Sequence, residues 1–418
     1  AVTGHGGDEA RVRKRVQRPL ALRGDHGSQV VVHEDGGTRL GEVAQQMPET
    51  DQGATDYVLE GDLPLAAATA ALAAAEAAPM RERANPLRVG VMSLGDGNLE
   101  VTITNTSRKA ARIPRWQLPS SAIEANLFHI SFGGEQVRYQ GAMIKRGVPT
   151  AADFAILHPG QSHRAVVNLG AAYDLSAVGS YNVTFAAPLQ YASMSDGAML
   201  KQSNGLPMIA QGASIQMWMG ASEVKNAARR IAAAAKPTKP GTGGSVVNGV
   251  SYVGCSSTQI NGAGSAVNSA RSYAENAKGY LNTGATGPRY TSWFGAYTSS
   301  RYNSVKQNFA AIDTAMDQSG GQIKINCGCN QSYYAYVYPT RPYEIFVCRA
   351  FWSAPNTGTD SKAGTLIHEM SHFNVVAGTD DWAYGQTAAR SLANSDPAKA
   401  VDNADNHEYF AENTPTQN

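Results

Sequence analysis

The sequence predicts two folded units in series, a mainly β, sandwich-like unit followed by one of α+β class. Three observations predict this. Short runs that alternate apolar and polar residues fill the stretch after residue 84. A Pro/Gly-rich segment then interrupts the pattern near residue 240. Beyond it lie all four cysteines and an order of strands followed by helices. A length of 418 residues fits two or three domains at roughly 100–200 residues each.

Residues 1–84 are weakly patterned: Arg11, Arg13, Lys14 and Arg15 alternate with acidic stretches, and an Ala-rich run follows at residues 65–78. They read as a loosely ordered or helical arm. Residues 85–221 carry the sandwich pattern. Leu99, Val101 and Ile103 alternate with polar residues, as do Val137 with Tyr139, and Tyr181, Val183 and Phe185. Gly95-Asp96-Gly97-Asn98, Gly133-Gly134 and Pro159-Gly160 supply the turns between such runs. Residues 222–248 read as a basic helix with Lys225, Arg229 and Arg230, then a linker holding Lys236-Pro237-Thr238-Lys239-Pro240-Gly241. That composition is exposed and open to proteolysis.

Residues 249–418 form the second unit. A helix is expected over about 262–281, and strands at Tyr334-Ala335-Tyr336-Val337-Tyr338 and Ile345-Phe346-Val347. The next helix is expected to start at Asp360 as N-cap, run to about Val376 and stop at Gly378. A last one starts at Asp396-Pro397, an N-cap followed by proline at the first helical position.

Composition excludes several classes. The formal net charge of +1 offers no basic surface for nucleic acid, and no apolar run is long enough to span a bilayer. Cys255, Cys327, Cys329 and Cys348 are an even number confined to one region. They predict two disulfides and an oxidising compartment. The competing reading, a structural zinc site, is weakened because Cys327-Gly328-Cys329 is C-x-C and no second pair follows at zinc-finger spacing. Cys327 and Cys329 are too close to pair with each other, so each is expected to reach a distant partner.

The chemistry concentrates in His368-Glu369-Met370-Ser371-His372. On a helix, residues i and i+4 share a face, so both imidazoles can reach one metal. Glu369 then sits beside the metal, where it can take a proton from the attacking water. A catalytic zinc needs a third protein ligand. The extension H-x-x-G-x-x-H is absent, since Val375 and Gly378 stand at its Gly and His positions. The chain continues instead as Gly378-Thr379-Asp380-Asp381-Trp382-Ala383-Tyr384-Gly385.

H-E-x-x-H with G-T-x-D-x-x-Y-G after it resembles the signature of the aspzincins, deuterolysin-type metalloendopeptidases with a zincin-like fold. Further segments resemble their peptidyl-Lys branch: Gly254-Cys255-Ser256-Ser257, Arg289-Tyr290-Thr291-Ser292-Trp293-Phe294-Gly295, Ala350-Phe351-Trp352, Thr357-Gly358-Thr359-Asp360-Ser361, and the final run from Asn403 to Asn413. The resemblance covers residues 250–418. It implies one zinc per chain held by His368, His372 and Asp381, with Glu369 as general base and Tyr384 donating its hydroxyl to the developing oxyanion. It implies the disulfides Cys255–Cys327 and Cys329–Cys348. Asp405 matches the acidic residue of the pocket that receives lysine, and Glu408 lies one helical turn on, so cleavage on the amino side of lysine is implied. Residues 1 to about 245 fall where a propeptide belongs.

Composition, cysteines and resemblance together lead to the expectation of a secreted, monomeric enzyme acting on proteins or peptides, with no nucleic-acid or membrane partner. Its own propeptide is expected to cover the cleft as an intramolecular inhibitor, with a lysine of the linker stretch (Lys225, Lys236 or Lys239) in the acidic pocket. Two alternatives stand beside it: a broad-specificity deuterolysin-like protease, and a non-enzymatic adhesion or binding protein with a vestigial metal domain. The intact Glu369 argues against the latter.

Overall fold

The computed structural model describes residues 85–234 and 244–418, together with four strands nearer the start of the chain. Those strands, Leu20–Arg23, Gln29–Val32, Thr38–Glu42 and Tyr57–Leu63, form one sheet within a separate compact unit, residues 1–81. The expected loosely ordered or helical arm and the Ala-rich run otherwise lie outside the described residues, as do Lys236 and Lys239.

Residues 82–418 form the second compact unit, sheet-rich in its first part and helical in its last. The sheet-rich part follows its alternation. In Asn98–Asn105 every second residue is buried, with Leu99, Val101 and Ile103 at 0% exposure. Gly179–Pro188 buries Tyr181, Val183 and Phe185 in the same way. Asn98–Asn105 lies between Leu87–Gly95 and Ser162–Asn168, all antiparallel. Gly179–Pro188 pairs antiparallel with Phe128–Phe132, Ile209–Gln211 and Ile215–Met219. The basic stretch is helical over Ala221–Ala234.

The cysteine-bearing part is built around a six-stranded sheet backed by helices. Its order is Met143–Lys145, Ala335–Val337, Glu344–Val347, Lys324–Asn326, Val250–Val253, Gly244–Val247. The first of these strands comes from the sheet-rich part. It joins the edge antiparallel, with Met143 opposite Val337, Ile144 opposite Tyr336 and Lys145 opposite Ala335. An exposed strand edge offers unpaired backbone groups, and this segment covers them. Disulfides Cys255–Cys327 and Cys329–Cys348 are both present. The long helix Ser257–Asn282 lays a stripe of small residues, including Ala263, Ala266, Ala270, Ala274 and Ala277, against the core.

The H-E-x-x-H helix spans Lys362–Ser371. Its N-cap is Ser361, whose side chain accepts from the Gly364 N–H, and not Asp360 as the sequence suggested. Asp360 instead takes a left-handed backbone (φ 51°), and its N–H donates to Glu412. Glu412 also accepts from the Ser361 N–H (2.9 Å) and hydroxyl (2.7 Å), which pins the helix start to the end of helix Ala404–Glu412. A Cβ on Gly364 would collide with this carboxylate. Gly364→Ala is therefore expected to cost roughly 1–3 kcal/mol in thermal denaturation. Gly262→Ala, on a helix position with open space around it, is expected to gain up to about 1 kcal/mol. Equal effects of the two would overturn this account of the packing.

Candidate metal centre and active site

The helix turns His368, Glu369 and His372 to one buried face, each at 0% exposure. The loop after it brings Asp381 against them: its Oδ1 lies 3.3 Å from His368 Nε2 and 3.5 Å from His372 Nε2. Each imidazole has a polar neighbour at its other nitrogen. His372 Nδ1 donates to the Thr379 carbonyl at 2.8 Å. His368 Nδ1 lies 2.8 Å from Asp405 Oδ1 and 3.3 Å from Glu408 Oε2. Such partners set the tautomer and leave Nε2 free to ligate.

The donor set fits a metal. The Nε2 atoms of His368 and His372 and both carboxylate oxygens of Asp381 are buried with no hydrogen-bond partner among the described residues. Buried polar atoms of this kind carry a cost unless something binds them. Ligand atoms of these three residues lie within 4.8 Å of one another. Two imidazoles and a carboxylate are also a donor set that suits zinc. The buried Glu369 carboxylate likewise has no partner among the described residues, and burial pushes it up to about 7. His407 takes no part. Its Nδ1 donates to the Asn403 carbonyl, its Nε2 faces Asn308, and burial pushes it down to about 4.

Tyr384 comes in from the loop after Asp381. Burial first, and the nearby Asp381 second, hold its phenol well above the ordinary value, so it keeps its proton and can donate. Its backbone is clasped by Gln190 of the sheet-rich part. Gln190 accepts from the Tyr384 N–H at 2.9 Å and donates to its carbonyl at 2.5 Å. On the same side Asn126 donates to Asp380 at 2.5 Å.

Asp405 and Glu408 lie on helix Ala404–Glu412, both fully buried, and a lysine sits between them. It is Lys145. Its ammonium lies 2.6 Å from Glu408 Oε2, 3.4 Å from Asp405 Oδ1 and 3.7 Å from Asp360 Oδ1. Burial alone would lower its pKa, but Asp405, Glu408 and Asp360 hold it well above the ordinary value. The expectation of a lysine in this pocket needs a correction in its source. The residue comes from strand Met143–Lys145, not from the linker stretch. Lys225 is in helix Ala221–Ala234, and Lys236 and Lys239 lie outside the described residues. The strand reaches the pocket because it completes the sheet edge, a pairing across about 190 residues that no local signal announces. His368, Asp405 and Glu408 could also be read as a second metal group, but the ammonium already supplies a cation there.

The structure thus gathers His368, Glu369, His372, Asp381, Tyr384, Asp405 and Glu408 into one site. Sequence reasoning missed Lys145, Gln190, Asn126 and the Thr379 carbonyl. Only the last has a nearby signal, because Thr379 belongs to the G-T-x-D run.

Two imidazoles and a carboxylate that could hold a cation, next to a buried glutamate without a hydrogen-bond partner among the described residues and a proton-bearing tyrosine, define the chemistry of a metallopeptidase. The sequence model of a family described as lysine-specific metallo-endopeptidase, the aspzincins, matches residues 280–412. An extracellular protease of Aeromonas hydrophila is 43% identical over 78% of this chain and 90% of its own. A peptidyl-Lys metalloendopeptidase of Grifola frondosa is 36% identical over 77% of this chain and 90% of its own. One of Pleurotus ostreatus is 49% identical over 39% of this chain and 97% of its own. The chain belongs to the aspzincin family of metalloendopeptidases. Peptides are its substrates, and among the described residues no helix is long and apolar enough to cross a membrane.

Proposed function

We propose that this chain is the zymogen of a secreted zinc endopeptidase that hydrolyses peptide bonds on the amino side of lysine. The observation that carries the reading is the acidic pocket: a lysine ammonium fully buried against Asp405 and Glu408, next to the His-His-Asp group. A buried ammonium needs such counter-charges, and a neutral side chain would leave them unpaired. His368, His372 and Asp381 would hold the zinc. Zinc supplies a Lewis acid that polarises a carbonyl and makes water a better nucleophile near neutral pH. Glu369 takes the proton of the attacking water and passes it to the leaving amine. Tyr384 donates to the carbonyl oxygen as negative charge develops there.

Latency is supported by the strand Met143–Lys145, which covers the sheet edge and fills the pocket at once. A segment of the same chain works at high effective concentration, so modest contacts suffice. The Pleurotus relative, which matches only 39% of this chain yet nearly all of itself, supports reading the remainder as propeptide. Secretion is supported by the two disulfides and by the extracellular Aeromonas relative.

The test is a cleavage map of an unfolded protein digested by the activated enzyme. Cuts are expected before lysine, and a chelator should abolish them. Asp405→Asn is expected to lower kcat/KM for such bonds by roughly 100-fold even at saturating zinc. It should also weaken zinc binding by roughly 10–100-fold through the lost partner of His368. Cuts spread over many residue types would leave the broad-specificity reading, whereas an unchanged lysine preference in the variant would move the specificity role from Asp405 to Glu408, the nearer carboxylate to the Lys145 ammonium.

A further inference from the structure

Strand Met143–Lys145 does more than cover the cleft: it lies in the polarity and register of a substrate. It runs antiparallel to the edge strand Ala335–Val337, and the Tyr334 N–H donates to the Lys145 carbonyl at 3.0 Å. Two contacts fix which bond faces the chemistry. The Lys145 side chain fills the acidic pocket. One residue upstream, the Ile144 carbonyl accepts from the Tyr384 hydroxyl at 3.2 Å. The carbonyl under Tyr384 and the lysine in the pocket therefore belong to a single peptide bond. A cavity of 30 Å³ lined by Ile144, Asp381 and Tyr384 adjoins it, large enough for a water molecule.

We propose that Ile144–Lys145 is held as an internal Xaa–Lys substrate and is the first bond this chain cuts, so that the lock on the active site is also its activation site. The inference rests on the lysine specificity proposed above. The step is hydrolysis. The bond between the Ile144 carbonyl carbon and the Lys145 nitrogen breaks. Water gives its oxygen to that carbon, leaving a carboxylate on Ile144. Both of its protons end on the nitrogen, relayed by Glu369, and the nitrogen leaves as the new ammonium terminus of Lys145. Before the cut, the sheet-rich part is also held to the site upstream and downstream of the strand, by Asn126 to Asp380 and by Gln190 to Tyr384. After it, the new ends at Ile144 and Lys145 are no longer joined across the cleft and can leave it separately, while the sheets that pair the segments on either side stay intact. The linker lysines become later sites on this view, because Lys145 already fills the pocket of the uncut chain.

The test uses the full chain, freed of metal and then loaded with zinc at several protein concentrations. Intact mass and N-terminal sequencing track the earliest fragments. The expected first new terminus is Lys145, appearing at a rate independent of protein concentration and absent from Glu369→Gln and Lys145→Met. Methionine keeps an aliphatic stem of similar length, and circular dichroism checks that the variant is folded. A reading free of turnover accompanies this: a labelled peptide with one internal lysine should bind metal-free Lys145→Met at least about tenfold more tightly than metal-free wild type, whose pocket is filled. A first cut elsewhere overturns the proposal. So does a wild type that stays joined at Ile144–Lys145 while Lys145→Met cuts an added unfolded protein before lysine, and that result leaves the specificity reading standing. Zinc-loaded chains that cut nothing before lysine overturn both.

Discussion

Glu369→Gln is expected to bind zinc as the wild type does and to lose about 10³–10⁴-fold in kcat. The residue sits on the ligand helix but one position along from His368, and the ligand group is complete without it. Its carboxylate is fully buried and has no hydrogen-bond partner among the described residues. A carboxyl left unpaired at such a place is kept for a proton. Burial raises it toward neutrality, where it can both accept and return one. Glutamine preserves the shape and removes only the proton acceptor, so metal content and turnover should separate. Both would be measured on chains processed with added active enzyme, which is then removed. A variant with more than a tenth of wild-type turnover would take Glu369 out of the proton path. A variant that lost its zinc would show that the carboxylate supports the ligands instead.

Legibility in the sequence tracks the range of the interactions. The two histidines and Glu369 were legible because a helix places i and i+4 on one face whatever surrounds it. The sheet-rich part was legible because alternation at Leu99, Val101 and Ile103 reports burial directly. The helix start was misplaced by one residue. Asp360 and Ser361 are both good caps in isolation, and Glu412, some fifty residues later, settles the matter by accepting from the backbone of both. Asp405 was legible only in part. Its place in a lysine pocket came from the resemblance, whereas its approach to His368 Nδ1 depends on how two helices pack. Lys145 was not legible at all. Nothing in Met143-Ile144-Lys145 distinguishes it from other short strands, and its role exists only once that strand joins a sheet built from residues beyond 243.

Asp381→Ala is expected to abolish detectable peptidase activity at ordinary zinc levels, and to weaken zinc binding by more than the roughly 10–100-fold expected for a residue that only orients a ligand. The reason is geometric. His368 and His372 are adjacent on one helix and approach the metal position from the same side. Asp381 alone comes from a different segment, with its Oδ1 facing both Nε2 atoms at 3.3 and 3.5 Å. Without it the pair of imidazoles is left open, and two ligands hold zinc far less well than three. Among the described residues no other neighbour is placed to substitute. His407 is committed to Asn403 and Asn308, and Asp405 and Glu408 face the opposite nitrogen of His368 and the Lys145 ammonium. Competition with a chromophoric chelator would give the zinc affinity of Asp381→Ala beside that of Asp405→Asn. The expected order is wild type, then Asp405→Asn, then Asp381→Ala. If Asp381→Ala held zinc as tightly as Asp405→Asn, Asp381 would be an orienting residue and the third ligand would have to come from the acidic pocket. In that case zinc and the Lys145 ammonium would compete for the same carboxylates, and Lys145→Met would raise zinc affinity instead of leaving it unchanged.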